Sequence, residues 1–248
     1  LKLQRRTSNP DRLPESERRG DYQLYTTLLV GDRGGDPLAP VALSLYAADG
    51  VHCSRWPGVR PALSPLDEVE PAMSFVEWQH LGKPVVHIID AQADSVAHYR
   101  QWSSWPGRLY LVRADDRLVE HEGQELRCSA LQAWCRHQQT FRHVRDVSYR
   151  GRMAQQWVAE VPVRLTRSGQ LQRGGKKIWV HGPPLDLRLI IAEVRTPQGE
   201  ILAVWYLLTN VPGDVDASTL ALWYYWRWRV KVSQPDYPSS ASLYQLAA

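Results

Sequence analysis

The sequence predicts an α/β fold: a mixed sheet with helices, interrupted by a β-rich antiparallel insertion. Three observations predict it. Residues 85–89 form a short apolar run that follows the break at Lys83-Pro84 and ends abruptly in Asp90. Such a run reads as a buried strand, central in a sheet. An amphipathic stretch over 95–104 and a strand-like run over 109–113 come next, an order that demands parallel pairing. After Asp115 long alternating segments take over, and helix returns only beyond Pro212. The expected divisions are 1–115 for the first part of the core, 116–212 for the insertion, 213–232 for a closing helix and 233–248 for an irregular tail.

Residues 1–20 carry Pro10, Pro14 and many charges with little periodicity. They read as an exposed connection after a strand stump at 1–3. Residues 22–30 and 38–46 are rich in strand formers and flank Gly31-Asp32-Arg33-Gly34-Gly35-Asp36-Pro37, a strong turn signal, so a β-hairpin is expected. Residues 47–52 are expected to leave the sheet, and the proline-rich 56–65 to be loop. Val69, Met73, Val76 and His80 then recur at helical spacing, with Pro71 near the start, where a helix tolerates it. Asp94 or Ser95 is the expected N-cap of the helix over 95–104. A short helix over 130–137 precedes strands at 141–149, 153–166 and 178–181. Two more, at 187–195 and 201–209, flank Thr196-Pro197-Gln198-Gly199. The tail, with Pro235 and Pro238, has no helical pattern and is expected to fray.

At 248 residues, 44% of them hydrophobic and 23% charged, the chain has room and material for one large domain or a domain with an insertion. The longest clean apolar run, 201–208, is far too short to span a bilayer. No signal peptide opens the sequence, and Cys53, Cys128 and Cys135 make no even disulfide framework, so a cytoplasmic setting is expected. Cys128, Cys135, His137 and His143 are the candidate zinc ligands, but their spacing matches no standard site. Seven apart on an expected helix, the two cysteines read as core-facing. Between Arg142 and Arg188 there are ten Lys or Arg and three Asp or Glu, a local net of +7 within a chain of +4. That asymmetry points to an anionic partner such as nucleic acid, against the alternative of a solvated basic face.

Two stretches carry candidate chemistry. Open α/β sheets bind ligands just outside the carboxyl ends of their strands, so Asp90 there can hold a metal; the alternative is a turn-capping role. The second stretch is Trp223-Tyr224-Tyr225-Trp226-Arg227-Trp228-Arg229. On a helix Tyr224, Arg227 and Lys231 fall at i, i+3 and i+7 and share a face. Core packing accounts for the tryptophans, whereas arginines beside them suit phosphate contact.

Residues 47–52 (Ala-Ala-Asp-Gly-Val-His), residues 88–95 (Ile-Ile-Asp-Ala-Gln-Ala-Asp-Ser) and Leu207-Leu208-Thr209-Asn210 leading into Tyr224–Arg229 together resemble a family. It is that of bacterial insertion-sequence transposases of the DDE type, in the IS-four branch. The resemblance covers roughly 22–230 and implies an RNase H-like core, split by a β-rich insertion between its second catalytic Asp and its catalytic Glu. It further implies two divalent ions, Mg²⁺ or Mn²⁺, held by converging carboxylates for phosphoryl transfer on DNA. Transposon ends would be the DNA partner, and a homodimer in a synaptic complex the assembly.

Carried across, Asp90 aligns with the second catalytic Asp and is the implied metal ligand. Tyr224 and Arg227 align with the Tyr and Arg of the pattern Y-x2-R-x3-E-x6-K. The pattern's Glu falls on Lys231 and its Lys on Pro238. The first catalytic Asp belongs on a strand at the very start, where residues 1–3 offer no acid. The resemblance is thus to a core truncated at both ends and lacking two of its three metal-binding carboxylates. A Glu-Ser-Phe stretch encoded GAA-AGT-TTC, read one base later, gives Lys-Val-Ser, the tripeptide at 231–233. A degenerate or frame-shifted copy is the expectation, inactive as an isolated chain. Its expected DNA contacts are Arg173, Lys176 and Lys177 of the insertion and Tyr224, Arg227 and Arg229 of the helix. The alternative function is a non-catalytic DNA-binding or interaction module that keeps the fold.

Overall fold

The computed structural model describes residues 2–4, 21–47, 49–61, 68–173, 176–232 and 243–247. It is a mixed α/β structure, mostly strands, with four α-helices among the described residues. Two compact units divide it: residues 1–85 with 226–248, and residues 86–225. The expected divide at 115/116 falls inside the second unit.

In the first unit, strand β1 (Lys2–Gln4) pairs antiparallel with β2 (Asp21–Val30), and β2 pairs antiparallel with β3 (Pro37–Ala47). This is the hairpin that the Gly31–Pro37 turn signal predicts. Its turn requires Gly35, whose φ is +70° and whose Cβ would lie 2.3 Å from the ring of Trp226. Residues 47–52 do not leave the sheet as expected. β4 (Gly50–Cys53) folds straight back on β3, and β5 (Val59–Arg60), inside the expected loop, pairs with β4. Gly50, at φ +136°, allows it: a Cβ there would meet the Arg60 carbonyl oxygen at 2.3 Å. Helix α1 (Val69–Trp78) buries Val69, Ala72, Met73 and Val76, a stripe at helical spacing.

The second unit opens with β6 (Val86–Ile89), buried along its whole length, as the apolar run predicts. A 3₁₀ turn (Ala91–Ala93) and helix α2 (Val96–Ser103) cross over to β7 (Leu109–Ala114), parallel to β6 in the register Val86↔Leu109 to Ile89↔Val112. Tyr99 and Trp102 of α2 pack on Tyr110 of β7, each with ring centroids 5.7 Å from it. The next pair, β8 (Leu118–His121) and β9 (Gln124–Arg127), is a short polar hairpin with no strong strand signal; helix α3 (Cys128–His137) follows. Then come β10 (Arg142–Tyr149), β11 (Arg152–Leu165), a separate hairpin of β12 (Gly169–Arg173) and β13 (Lys176–Val180), β14 (Leu185–Arg195) and β15 (Ile201–Thr209).

Among the described residues of this unit the pairings beyond β7 are antiparallel: β7 with β15, β15 with β14, β14 with β11, and β11 with both β10 and β8. Strands of the β-rich stretch therefore continue the sheet that begins with β6 and β7. Helix α4 (Ala217–Val232) starts in this unit and ends in the first. The tail is not wholly irregular, since β16 (Leu243–Ala247) pairs parallel with β2; a Leu-Tyr-Gln-Leu run suffices to join a neighbouring strand. Among the described residues no helix is long and apolar enough to cross a membrane.

Candidate functional site at the carboxyl end of β6

β6 delivers Asp90 to the strand end and the chain turns there. Asp90 N-caps the 3₁₀ turn, its Oδ1 accepting from the Ala91 N–H at 2.9 Å. The capping role weighed from the sequence is thus present. Two further groups approach the same oxygen. The Tyr224 hydroxyl of α4 donates to it at 3.2 Å across 134 residues of sequence, and Arg113 Nη1 lies 3.7 Å away. Parallel register sets the second contact, because Ile89 opposes Val112 and the next positions are Asp90 and Arg113.

One turn on, Asp94 is more enclosed. It accepts from the Tyr99 hydroxyl at 2.8 Å and the Asp115 N–H at 2.9 Å, and it pairs with Arg117. Ser95 takes the N-cap position of α2 without a side-chain bond, so Asp94 ties the crossover to the segment after β7 instead of capping the helix. Burial raises the carboxyl of Asp94 above its ordinary range, with Arg117 opposing, and burial raises the Tyr99 phenol well above its own. Tyr99 therefore stays a donor.

Thr209 and Asn210, quoted in the resemblance without a role, act as a clasp. The Asn210 amide accepts from Tyr110 N–H at 2.9 Å and donates to Arg108 O at 2.7 Å, while Thr209 Oγ1 donates to Tyr110 O at 2.5 Å. They extend the backbone pairing of β15 and β7 beyond its last residue and so fix the frame from which α4 departs.

Tyr224 and Arg227 are correctly expected to share a helix, but both are fully buried. Neither has exposed surface in this structure, whereas the expected phosphate contact asks for an accessible one. The ring of Tyr224 packs at 5.5 Å from Trp205, and its hydroxyl is committed to Asp90. The side chains of Arg173, Lys176, Lys177 and Arg229 lie outside the described residues. By backbone, Arg173 pairs with Lys176 at the tip of the β12–β13 hairpin and Arg229 lies within α4.

The implied pair of divalent ions can be tested on these donors. Such a centre needs several carboxylates converging on hard cations. Asp90 instead meets a guanidinium, a phenol and a backbone N–H, and Asp94 is tied to Arg117. Among the described residues no three His, Cys, Asp or Glu side chains form a group able to hold a metal ion. The described donors do not fit a two-metal centre.

Cys128 and Cys135 are buried, and burial pushes the Cys128 thiol up to about 12, so it is a core packing group rather than a thiolate ligand. A buried carboxylate escaped sequence reasoning altogether. Glu193 of β14 accepts on Oε1 from Gln132 and Arg136 and on Oε2 from Arg195. An acid inside the apolar run Leu187–Val194 is the signal that could have found it.

No protein-family model matches this chain, and no curated protein matches it.

Proposed function

We propose that this chain is a degenerate core of a DDE-type transposase, RNase H-like in its first part and interrupted over 116–212 by the β-rich insertion, that binds DNA without cutting it. One observation carries the reading: the hydrogen bond from Tyr224 to Asp90. An acid at the end of the buried strand of a strand–helix–strand unit meets the tyrosine of the helix whose Tyr-x2-Arg spacing the family shares. Lys231 stands seven residues beyond that tyrosine, where the family has its Glu. A cation in place of a ligand repels a metal rather than holding it: two unit charges ~4 Å apart interact by roughly 4 kcal/mol at an effective dielectric of 20.

In this reading the chain's own groups bind and position. Arg173, Lys176, Lys177 and Arg229 contact phosphate, and Tyr224 holds the helix to the strand end. Phosphate-dominated binding weakens steeply with salt, by about 0.9 in the slope of log K against log salt for each phosphate neutralised. Affinity for duplex DNA that stays flat from low to moderate salt would remove the binding half of the proposal.

The catalytic half is tested on transposon-end DNA with Mg²⁺ or Mn²⁺. The unmodified chain is expected to give neither nicks nor strand transfer, and Lys231→Glu alone is expected not to restore them. Robust cleavage by the unmodified chain, abolished in Asp90→Ala, would overturn it. The approach of Arg113 to Asp90 favours a second reading, a non-catalytic DNA-binding or interaction module that keeps the fold. Adding an acid-bearing strand ahead of β1, together with Lys231→Glu, separates the two. Rescue of nicking supports a decayed transposase, and continued inactivity with intact DNA binding supports the module.

A further inference from the structure

Within the second unit a cavity of about 200 Å³, partly open to solvent, lies beside the start of α2. Three arginines line it: Arg117 ahead of β8, Arg127 at the end of β9 and Arg167 after β11. The hydroxyl residues Thr166 and Ser168 complete its polar wall, and among the described residues no Asp or Glu lines it. Val96, Leu118 and Leu165 supply the apolar wall.

Each guanidinium is held from another side. Arg117 pairs with Asp94, Arg127 donates from Nη1 to the Asp116 carbonyl at 2.8 Å, and Arg167 grips Glu125 through Nε at 3.0 Å and Nη2 at 2.8 Å. A guanidinium has five N–H donors in a fixed fork, so these contacts orient the three groups without exhausting them. Gly169 fixes the 166–168 segment against α2. A Cβ there would lie 2.5 Å from the Ala97 backbone nitrogen, so only glycine permits the approach.

We infer that this cavity is a binding site for the phosphate group of a nucleotide, with the sugar or base against the apolar wall. The chemistry is specific to the class. Planar guanidinium forks match phosphate oxygens in pairs, and two hydroxyls add neutral donors. The site stands independently of the DNA-recombination reading, because every residue it uses lies outside the Asp90 and Tyr224 contacts.

The phosphate comes either from a free nucleotide or from a nucleic-acid strand, and three titrations of the full chain separate these: inorganic phosphate, a deoxynucleoside 5′-monophosphate, and a short single-stranded oligodeoxynucleotide. Saturable binding of the monophosphate, tighter than inorganic phosphate, is the expected result. Further tightening with the oligonucleotide assigns the site to a strand, and none assigns it to a free nucleotide. Arg127→Gln and Arg167→Gln should each weaken binding by about tenfold or more, the worth of one charge-assisted hydrogen bond. Arg164→Gln, an exposed cation outside the cavity, should leave it unchanged. Glu125→Gln releases Arg167 and should tighten binding, which a merely structural role for Arg167 does not predict. Circular dichroism checks that each variant is folded. Absence of saturable monophosphate binding, or equal losses in Arg127→Gln and Arg164→Gln, overturns the site whatever the fate of the DNA-cutting experiment.

Discussion

Glu193 and Asp90 are both carboxylates met by an arginine on the same sheet, yet their surroundings differ in kind. The Glu193 side chain has no exposed surface and takes Gln132 at 2.5 Å and Arg136 at 2.6 Å on one oxygen, with Arg195 at 2.6 Å on the other. The guanidinium of Arg195 is in turn stacked on Phe141 and Trp157, and Tyr206 donates to Gln132. Asp90 keeps 23% of its side chain exposed, and its Ala91, Tyr224 and Arg113 contacts all gather on Oδ1. A carboxylate satisfied from every side ties helix α3 to its strand. One that keeps part of its surface at a strand end keeps the geometry of a site.

The sharpest way to break this comparison is Glu193→Ala. It leaves two arginines and a glutamine facing a hole, and breaking a buried pair costs about 3–5 kcal/mol. The lower end, about 3 kcal/mol, is expected because 42% of the Arg136 side chain reaches solvent. Urea unfolding measures it, and a loss no larger than that of a surface substitution would erase the distinction. Tyr224→Phe comes next. The ring keeps its packing on Trp205 while the hydroxyl bond to Asp90 is lost, an expected cost of about 1 kcal/mol in the same assay.

A smaller, pH-dependent effect sharpens the contrast within the strand-end region. Burial raises the folded-state carboxyl of Asp94 above the ordinary 3.8, so the folded protein binds the proton more readily than the unfolded chain. The contribution of Asp94 to stability then falls as pH rises from 3.8 through the raised value. Asp216 behaves oppositely. Its bond from Ser218, with further backbone and Arg142 contacts, lowers it below 3.8, so its contribution is present above that pH and fades as pH drops beneath it. Unfolding free energies measured against pH for Asp94→Asn and Asp216→Asn should diverge from the parent protein with opposite slopes. The smallest effect belongs to Arg164→Ala, which removes the exposed pair with Asp186 and should not shift the urea midpoint measurably.

Much of this was legible in the sequence where a single local rule operated. The apolar run to Ile89 stopping at Asp90, the turn before Pro37 and the alternation of β11, β14 and β15 each carry their own signal. The β8–β9 hairpin did not, because its strands are short, polar and half exposed. The Glu193 cluster was illegible for another reason: Gln132 and Arg136 lie 61 and 57 residues away on helix α3, and only tertiary packing brings them to it. Burial of Arg227 was hidden because α4 is apolar on nearly every side, so no helical stripe tells which face turns inward. Gly169 reads as an ordinary loop glycine until the backbone of Ala97 is seen against it.

The contact between Tyr224 and Asp90 spans 134 residues, and the clasp of Thr209 on Tyr110 spans 99. The hairpins β8–β9 and β10–β11 close over a few residues each, at turns where Glu122-Gly123 and Arg150-Gly151 hold positive φ. Loop closure favours near neighbours, and distant pairings are rewarded only after their entropy has been spent. The strand-end site is therefore among the last features of the second unit to assemble. A nascent chain has its hairpins long before Tyr224 emerges, so the phenol reaching Asp90 reports that the unit has finished folding.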